Sequence, residues 1–100
     1  MAILAIFTGD VTKDDYDALR KEVDWEKSWA PGAIIHVASV DDAGLIHVAD
    51  VWESPEKMNA FVEQRLLPAF QKLGLNPPNV EVYPAHNINV HSSISQYQVR

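Results

Sequence analysis

Asp50 and Trp52 are the residues of this sequence whose types and spacing most directly suggest chemistry. They lie two positions apart in HVADVWESPEKMNAF, at the end of a strand-like run, so their side chains share one face of the strand. Burial favours the protonated form of a carboxyl group, and a half-buried carboxylate could take a proton from a phenolic ring stacked on the indole. This predicts Asp50 as a catalytic base and Trp52 as a ligand-binding platform. The alternative is structural, with Trp52 filling the core and Asp50 capping a backbone group or pairing with a cation.

Three histidines form the second set of candidates. His86, which follows the last strand in YPAHN, is the other candidate catalytic base, and its alternative is a surface-loop histidine without a role. His36 and His47 lie on adjacent strands and share a face in the register expected below, on a diagonal of roughly 7–8 Å. Zinc normally takes three or four protein ligands, and the spacing supplies no third, so no metal site is predicted. We expect these two histidines at a dimer interface instead.

Trp25 and Trp29 are four positions apart at the end of the first predicted helix. They are offset from the apolar stripe of that helix, and exposed indoles indicate a surface that covers something. Two interpretations stay open, the wall of a ligand pocket and the edge of a dimer. The site prediction takes the first and assigns both residues to ligand binding.

Composition excludes several classes of protein. The chain has 100 residues, 47% of them apolar, which indicates one globular domain. A net charge of −6 without a basic cluster argues against nucleic-acid binding. No apolar run approaches the roughly 18 residues of a membrane span, and MAILAIF lacks the features of a signal peptide. The absence of cysteine excludes disulfides and thiolate sites, and we expect a cytoplasmic protein without a cofactor.

The elements that must position these residues follow a βαββαβ order. Strands are predicted at 2–8, 33–40, 44–52 and 79–84, from their β-branched and apolar residues. Thr12 is the predicted N-cap of the first helix, and Ser54 followed by Pro55 begins the second. Pro68 should kink that second helix. The order predicts an α+β, ferredoxin-like sandwich with an antiparallel sheet over 1–87, followed by a polar tail at 88–100 that forms an edge strand or a dimer arm.

Both faces of the predicted hairpin are apolar. With Val40 opposite Leu45, His36 would oppose Ala49, and Ile35 and Val37 would lie on the same face as Asp50. The helices of such a sandwich cover only one face of the sheet, so the other should be polar if it met water. We therefore predict a homodimer whose sheets pack face to face.

The element order, the doubly apolar sheet and the segment DVWESPEKMNAF resemble the dimeric α/β-barrel superfamily, in particular its antibiotic-biosynthesis-monooxygenase-like branch. The resemblance covers about residues 2–87 and implies a dimeric α/β barrel. Trp52 matches the family tryptophan that lines a cleft, and Asp50 stands where many relatives have a glutamate. The strand amide of the oxygenase relatives is missing, and residues 55–73 lack the histidine that ligates iron in haem-degrading relatives.

Two functions stay open on this resemblance. The first is a cofactor-independent oxygenase acting on an aromatic or quinol-type molecule. The alternative is a non-catalytic homodimer that binds a small apolar ligand. Fold alone does not decide between an enzyme and a binding protein.

Overall fold

A four-stranded antiparallel sheet with helices on one face forms the structure, a computed structural model that describes residues 1–99. The strand order is β2-β3-β1-β4, and each neighbouring pair is antiparallel. The predicted α+β, ferredoxin-like βαββαβ fold is therefore confirmed. The elements are β1 Ile3–Thr8, α1 Lys13–Val23, β2 Ala33–Val40, β3 Ile46–Trp52, α2 Pro55–Phe61, a π-helical segment Val62–Leu66, α3 Leu67–Lys72, β4 Asn79–Pro84 and a 3-10 helix Ser92–Gln96.

Both predicted helix starts are present. The Thr12 hydroxyl accepts from the Asp15 backbone N–H at 3.2 Å, and the Asp15 carboxylate accepts from the Thr12 N–H at 3.2 Å, which completes a capping box. Ser54 accepts from the Lys57 N–H at 3.2 Å, with Pro55 at the first helical position. These local signals set where α1 and α2 begin.

The first helix ends earlier than the sequence suggested. Asp24 adopts the left-handed conformation (φ 58°), and its N–H and that of Trp25 both reach the Arg20 carbonyl. Trp25 and Trp29 therefore follow α1, and the prediction that they lie on it is wrong. The chain reversal at Asp24 turns Trp25 into the core, where it is only 8% exposed.

Pro68 interrupts the regular α-helical hydrogen bonding of the second helical region, whereas the kink itself stays a prediction. Pro68 cannot donate a hydrogen bond to the carbonyl four residues earlier. Residues Val62–Leu66, which precede Leu67 and Pro68, form a π-helical segment, and the Leu67 N–H donates to the Val62 carbonyl. The region therefore divides into α2, the π segment and α3.

The β2–β3 hairpin differs from the predicted register by one residue. Val40 opposes Ile46, and His36 opposes Asp50, so the predicted pairing of Val40 with Leu45 is wrong. The loop has three residues between Asp41 and Leu45, whose backbones are hydrogen-bonded at 2.9 Å, and its last residue, Gly44, has φ +82°. This shift of one residue moves the side chains from Ile35 to Val40 to the opposite face of the sheet, whereas a register irregularity between Ala33 and Ile35 leaves Ala33 opposite Trp52.

The shift places His36 on the helix face of the sheet and moves Ile35 and Val37 to the open face. His36 is thus not on the face that was expected to meet a second sheet, whereas His47 is. The open face remains apolar at its centre, as predicted, even though the face assignments of residues 35–40 on β2 were reversed. Its apolar side chains are Leu4, Ile6, Ile35, Val37, Ala49, Val51 and Tyr83.

The tail forms no strand between 85 and 99, so the edge-strand alternative is wrong for that range, and residue 100 lies outside the described residues. It contains the 3-10 helix and exposes Ile88 and Val90. Its role as a dimer arm stays a prediction. The helices within residues 1–99 all fall short of the length and hydrophobicity that a membrane-spanning helix requires.

Candidate functional site

A chain of hydrogen bonds on the helix face of the sheet links Trp52, Asp50, His36 and Tyr16. His36 Nδ1 lies 2.7 Å from Asp50 Oδ1, and His36 Nε2 lies 2.7 Å from the Tyr16 hydroxyl. The second carboxylate oxygen of Asp50 accepts from the Trp52 indole N–H at 3.3 Å. Two strands and one helix thus hold these groups in line: Asp50 on β3, His36 on β2 and Tyr16 on α1.

The directions of these hydrogen bonds follow from the groups themselves. A carboxylate only accepts hydrogen bonds, so the proton of neutral His36 resides on Nδ1. Nε2 is then an acceptor, and the Tyr16 hydroxyl donates to it. Asp50 fixes both the tautomer and the orientation of the ring, which is the arrangement used to hold a histidine as a proton acceptor.

Asp50 is itself enclosed, with 3% of its surface exposed. Both of its oxygens are occupied by ring N–H groups. The position predicted for a catalytic base therefore holds a carboxylate that orients His36, and His36 is the group with a nitrogen turned toward the cavity side.

The Tyr16 hydroxyl is the last group in this series of hydrogen bonds, at the end opposite Trp52. Burial raises the pKa of Tyr16 to about 12, opposed by the Arg20 guanidinium and reinforced by the carboxylates of Glu26, Asp50 and Asp17. The hydroxyl is therefore protonated throughout the neutral range and remains a hydrogen-bond donor.

Aromatic rings surround the imidazole. The Trp25 ring centroid lies 4.6 Å from that of His36 and 5.0 Å from that of Phe61. Trp52 is fully buried behind them, with centroids 6.2 Å from Trp25 and 5.4 Å from Phe61. Trp52 supports the aromatic cluster and holds Asp50, whereas Trp25 is the indole beside the imidazole.

A cavity of about 90 Å³ opens on this group between the sheet and the helices. Most of its surface is apolar, and its polar groups gather around His36, Asp50, Tyr16 and Arg20. Such a site suits a small ring with one polar substituent. Its apolar lining comes from Phe7, Val11, Leu19, Val23, Trp25, Ile46, Val48, Phe61, Leu66, Phe70 and Pro78.

An ion pair stands beside the cavity. Arg20, which lines it, donates from Nε to Glu26 at 2.7 Å and also contacts Asp17 at 3.5 Å. The hydrogen bond to Glu26 raises the pKa of Arg20. Arg20 is thus neutralised by its neighbours, and the cavity has no unpaired cation among the residues the structure describes.

Four predicted site residues are not in the cavity lining, and one of them is Trp52, the predicted ligand platform, which is fully buried behind Trp25 and Phe61. His86 is exposed after β4, and Trp29, 48% exposed, packs against Trp25 at 4.9 Å and donates its indole N–H to the Ala33 carbonyl at 2.7 Å. His47 lies on the open face, 2.8 Å from an Asp41 oxygen. His36 and His47 point to opposite faces and share no ligand position. No group of three metal-ligating side chains occurs in residues 1–99.

His36 and Tyr16 are the site residues that the sequence did not suggest in this role. The signal for His36 was the spacing Asp41-x-x-Gly44, since three-residue hairpin loops place glycine in the left-handed position and thereby set the register. Tyr16 looked like an ordinary member of the α1 stripe, and no local pattern distinguishes it.

Solved structures of low sequence identity share this fold. An antibiotic-biosynthesis-monooxygenase-like protein of Chloroflexus aurantiacus is 20% identical, with a TM-score of 0.63 over 91% of this chain and all of its own. Rv0793 of Mycobacterium tuberculosis has a TM-score of 0.64 at 14% identity, covering 90% of this chain and all of its own. SnoaB, a cofactor-independent oxygenase of Streptomyces nogalater, has a TM-score of 0.61 at 14% identity, covering 87% of this chain and 93% of its own.

Sequence comparison adds nothing to this likeness, because no family model and no curated protein matches the chain. Identities of this size establish the fold alone. The resemblance seen in the sequence is confirmed at that level: the chain shares a ferredoxin-like fold with antibiotic-biosynthesis-monooxygenase-like proteins.

Proposed function

We propose that this protein is a cofactor-independent oxygenase-like enzyme that acts on a phenolic or quinol-type ring, with His36 as the proton acceptor. The observation that carries the proposal is the Asp50–His36 pair, joined at 2.7 Å and facing an apolar cavity. Asp50 holds the proton of His36 on Nδ1, which leaves Nε2, the acceptor for the Tyr16 hydroxyl, as the nitrogen that can take a proton. Trp25, whose ring centroid lies 4.6 Å from that of His36, offers a face for a substrate ring. The fold shared with SnoaB, a cofactor-independent oxygenase, supports the same class of reaction.

The chemistry begins with a proton transfer. His36 Nε2 takes the hydroxyl proton of a phenol, and the resulting phenolate is electron-rich enough to give an electron to dissolved dioxygen. Combination of the two radicals at an unsubstituted ring carbon forms a hydroperoxide, which loses water to leave a quinone. One oxygen atom of O₂ enters the ring and the other leaves as water, so that 1-naphthol plus O₂ gives 1,4-naphthoquinone plus H₂O.

The experiment measures oxygen uptake and quinone formation with 1-naphthol, in the presence of a chelator and without added cofactor. Removing a general base costs about 10²–10⁴-fold in rate, so His36→Gln should lower turnover by at least about 10²-fold. His86→Gln is the matched control, since that side chain is exposed and outside the cavity lining, and it should retain the rate. Equal turnover in the wild type and His36→Gln would remove His36 from the mechanism.

The alternative function, a binding protein without turnover, is favoured by one observation. The Tyr16 hydroxyl donates to His36 Nε2 at 2.7 Å, and a nitrogen that already accepts this hydrogen bond is not available to take a proton from a ligand. Under this alternative, 1-naphthol quenches tryptophan fluorescence, but no quinone forms and no oxygen is consumed.

We also propose a homodimer with the open faces of two sheets in contact. The support is the apolar centre of that face, where Ala49 on β3 pairs with Val37 on one side and with Ile6 on the other, and Val37 is 51% exposed. A charge at this centre should prevent association. Ala49→Lys should convert a dimer into a monomer in light scattering at micromolar concentration, whereas Ala60→Lys, at an exposed position of α2, should not. A monomeric wild type would contradict the proposal.

A further inference from the structure

The nitrogen that the proposed reaction needs is already occupied in the free protein. Asp50 holds the proton on Nδ1 of His36, and the Tyr16 hydroxyl donates to Nε2 at 2.7 Å. A substrate hydroxyl cannot donate to the same lone pair while Tyr16 does, because the imidazole nitrogen has only one.

Tyr16 has the chemistry of the proposed substrate. It is a phenol at the wall of the cavity, and its ring plane lies within 8° of the plane of the imidazole to which it donates. It is attached to the first turns of α1 and is only partly buried, so a side-chain rotation can take the ring away from His36. The small cavity volume is consistent with a resident ring that fills part of the ligand space.

We propose that Tyr16 is a displaceable occupant of the site. The hydroxyl of a neutral phenol replaces the Tyr16 hydroxyl as the hydrogen-bond donor to His36 Nε2, and the ring of that phenol enters the space beside Trp25. This rests on the proposed function for its consequence in catalysis, but the exchange of hydrogen-bond donors is a binding event that can be measured without turnover. The site therefore selects hydroxylated over unsubstituted rings only to the extent that the new donor outcompetes Tyr16.

The acidity of the two phenols explains why the resident one does not react. Burial raises the pKa of Tyr16 to about 12, and it acts in the same direction on any hydroxyl that takes this position, so a substrate must be a more acidic phenol than tyrosine. Tyr16 thus donates a hydrogen bond to His36 but keeps its proton, and a more acidic substrate hydroxyl in the same position transfers its proton more readily.

The test compares Tyr16→Phe with the wild type under anaerobic conditions, with 1-naphthol and naphthalene as ligands and tryptophan fluorescence as the readout. A neutral hydrogen bond has a small net value in water, so freeing Nε2 should tighten 1-naphthol binding by about 3- to 10-fold. Naphthalene has no hydroxyl, and its affinity should rise less than that of 1-naphthol. Tyr83→Phe is the matched control, because that hydroxyl donates to Glu81 on the exposed edge strand β4.

Each outcome decides the proposal. Unchanged or weaker 1-naphthol binding in Tyr16→Phe overturns it, as does equal gain for both ligands or no binding at all. If Tyr16 were instead a proton relay, Tyr16→Phe would lower turnover with no gain in affinity. A ¹⁵N NMR titration of the unaltered protein gives a second readout, since 1-naphthol should shift the His36 Nε2 signal and naphthalene should leave it near the free position.

The binding result and the proposed function fail separately. Tighter 1-naphthol binding by Tyr16→Phe, together with a wild type that consumes no oxygen, would keep the displaceable tyrosine and reject the oxygenase. Oxygen consumption that depends on His36, without an affinity gain in Tyr16→Phe, would keep the oxygenase and reject the displaceable tyrosine.

Discussion

Replacing Asp50 by asparagine should reverse the hydrogen bonds of the site while leaving its shape intact. The carboxylate accepts from His36 Nδ1 at 2.7 Å and from Trp52 Nε1 at 3.3 Å. Asparagine has one accepting oxygen and one donating nitrogen, so it cannot accept from both rings. The indole N–H can only donate, and the amide oxygen therefore turns toward Trp52. The amide nitrogen then faces His36, whose Nδ1 must become an acceptor.

The proton of His36 consequently moves to Nε2, where it can donate only to the Tyr16 oxygen. Nε2 can no longer accept a proton, and we expect turnover of 1-naphthol to fall by about 10²–10⁴-fold. The number of hydrogen bonds is unchanged, but charge-assisted bonds worth about 1.5–3 kcal/mol each become neutral ones worth about 0.5–1.5 kcal/mol. The substitution also removes a buried charged group, whose desolvation disfavours the folded state, and this offsets part of the loss. The free energy of unfolding should therefore drop by only about 1 kcal/mol.

Two assays separate the effects on stability and on proton position. Urea unfolding measures the free-energy change, and ¹⁵N NMR of the imidazole identifies the tautomer of His36 directly. Asp50→Ala is the contrasting variant, because it removes the partner altogether and should cost about 3 kcal/mol or more through a cavity and an unpaired donor. Retention of the Nδ1-protonated tautomer in Asp50→Asn, or turnover within about twofold of wild type, would refute the reasoning.

Three further predictions test the parts that support the site. Thr12→Ala should cost about 1 kcal/mol in urea unfolding because it removes the N-cap of α1, and Thr12→Ser should restore most of it. Arg65→Met should speed hydrogen exchange in residues 24–28, since the Arg65 guanidinium donates to the Val23 and Ser28 carbonyls at 2.7 and 2.6 Å; unchanged exchange would show that this loop is held by packing alone. Tyr16 has a pKa of 10.0 when unfolded and about 12 when folded, so the folded chain keeps a proton that the unfolded chain loses, and stability should be full below pH 10 and fall toward pH 12. After allowance for solvent screening, the loss of unfolding free energy is about 1 kcal/mol. The measurement compares the unfolding of wild type and Tyr16→Phe at pH 9 and 11.5, and Tyr16→Phe should not show this loss.

Much of the fold could be predicted because its signals act over a few residues. At the start of α2, the Ser54 side chain accepts a hydrogen bond from a backbone N–H of the first turn, and Pro55 has no N–H that needs a partner. Pro68 likewise removes a hydrogen bond to the residue four positions before it. The chemical pair Asp50 and Trp52 shares a face because strand side chains alternate, whatever lies around the strand. The end of α1 was less accessible, since the left-handed turn at Asp24 is unusual for a residue other than glycine.

The sequence alone determined the order of the elements, where the helices start, and the apolar character of both faces of the sheet. The face of β2 that points to the helices also follows from a local feature, because one residue more or less in a hairpin loop inverts a strand, and Asp41 and Gly44 set that number. Only tertiary structure brought Tyr16 to His36, twenty positions away. Such a contact depends on how a helix packs across a sheet, and no local preference of either residue encodes it.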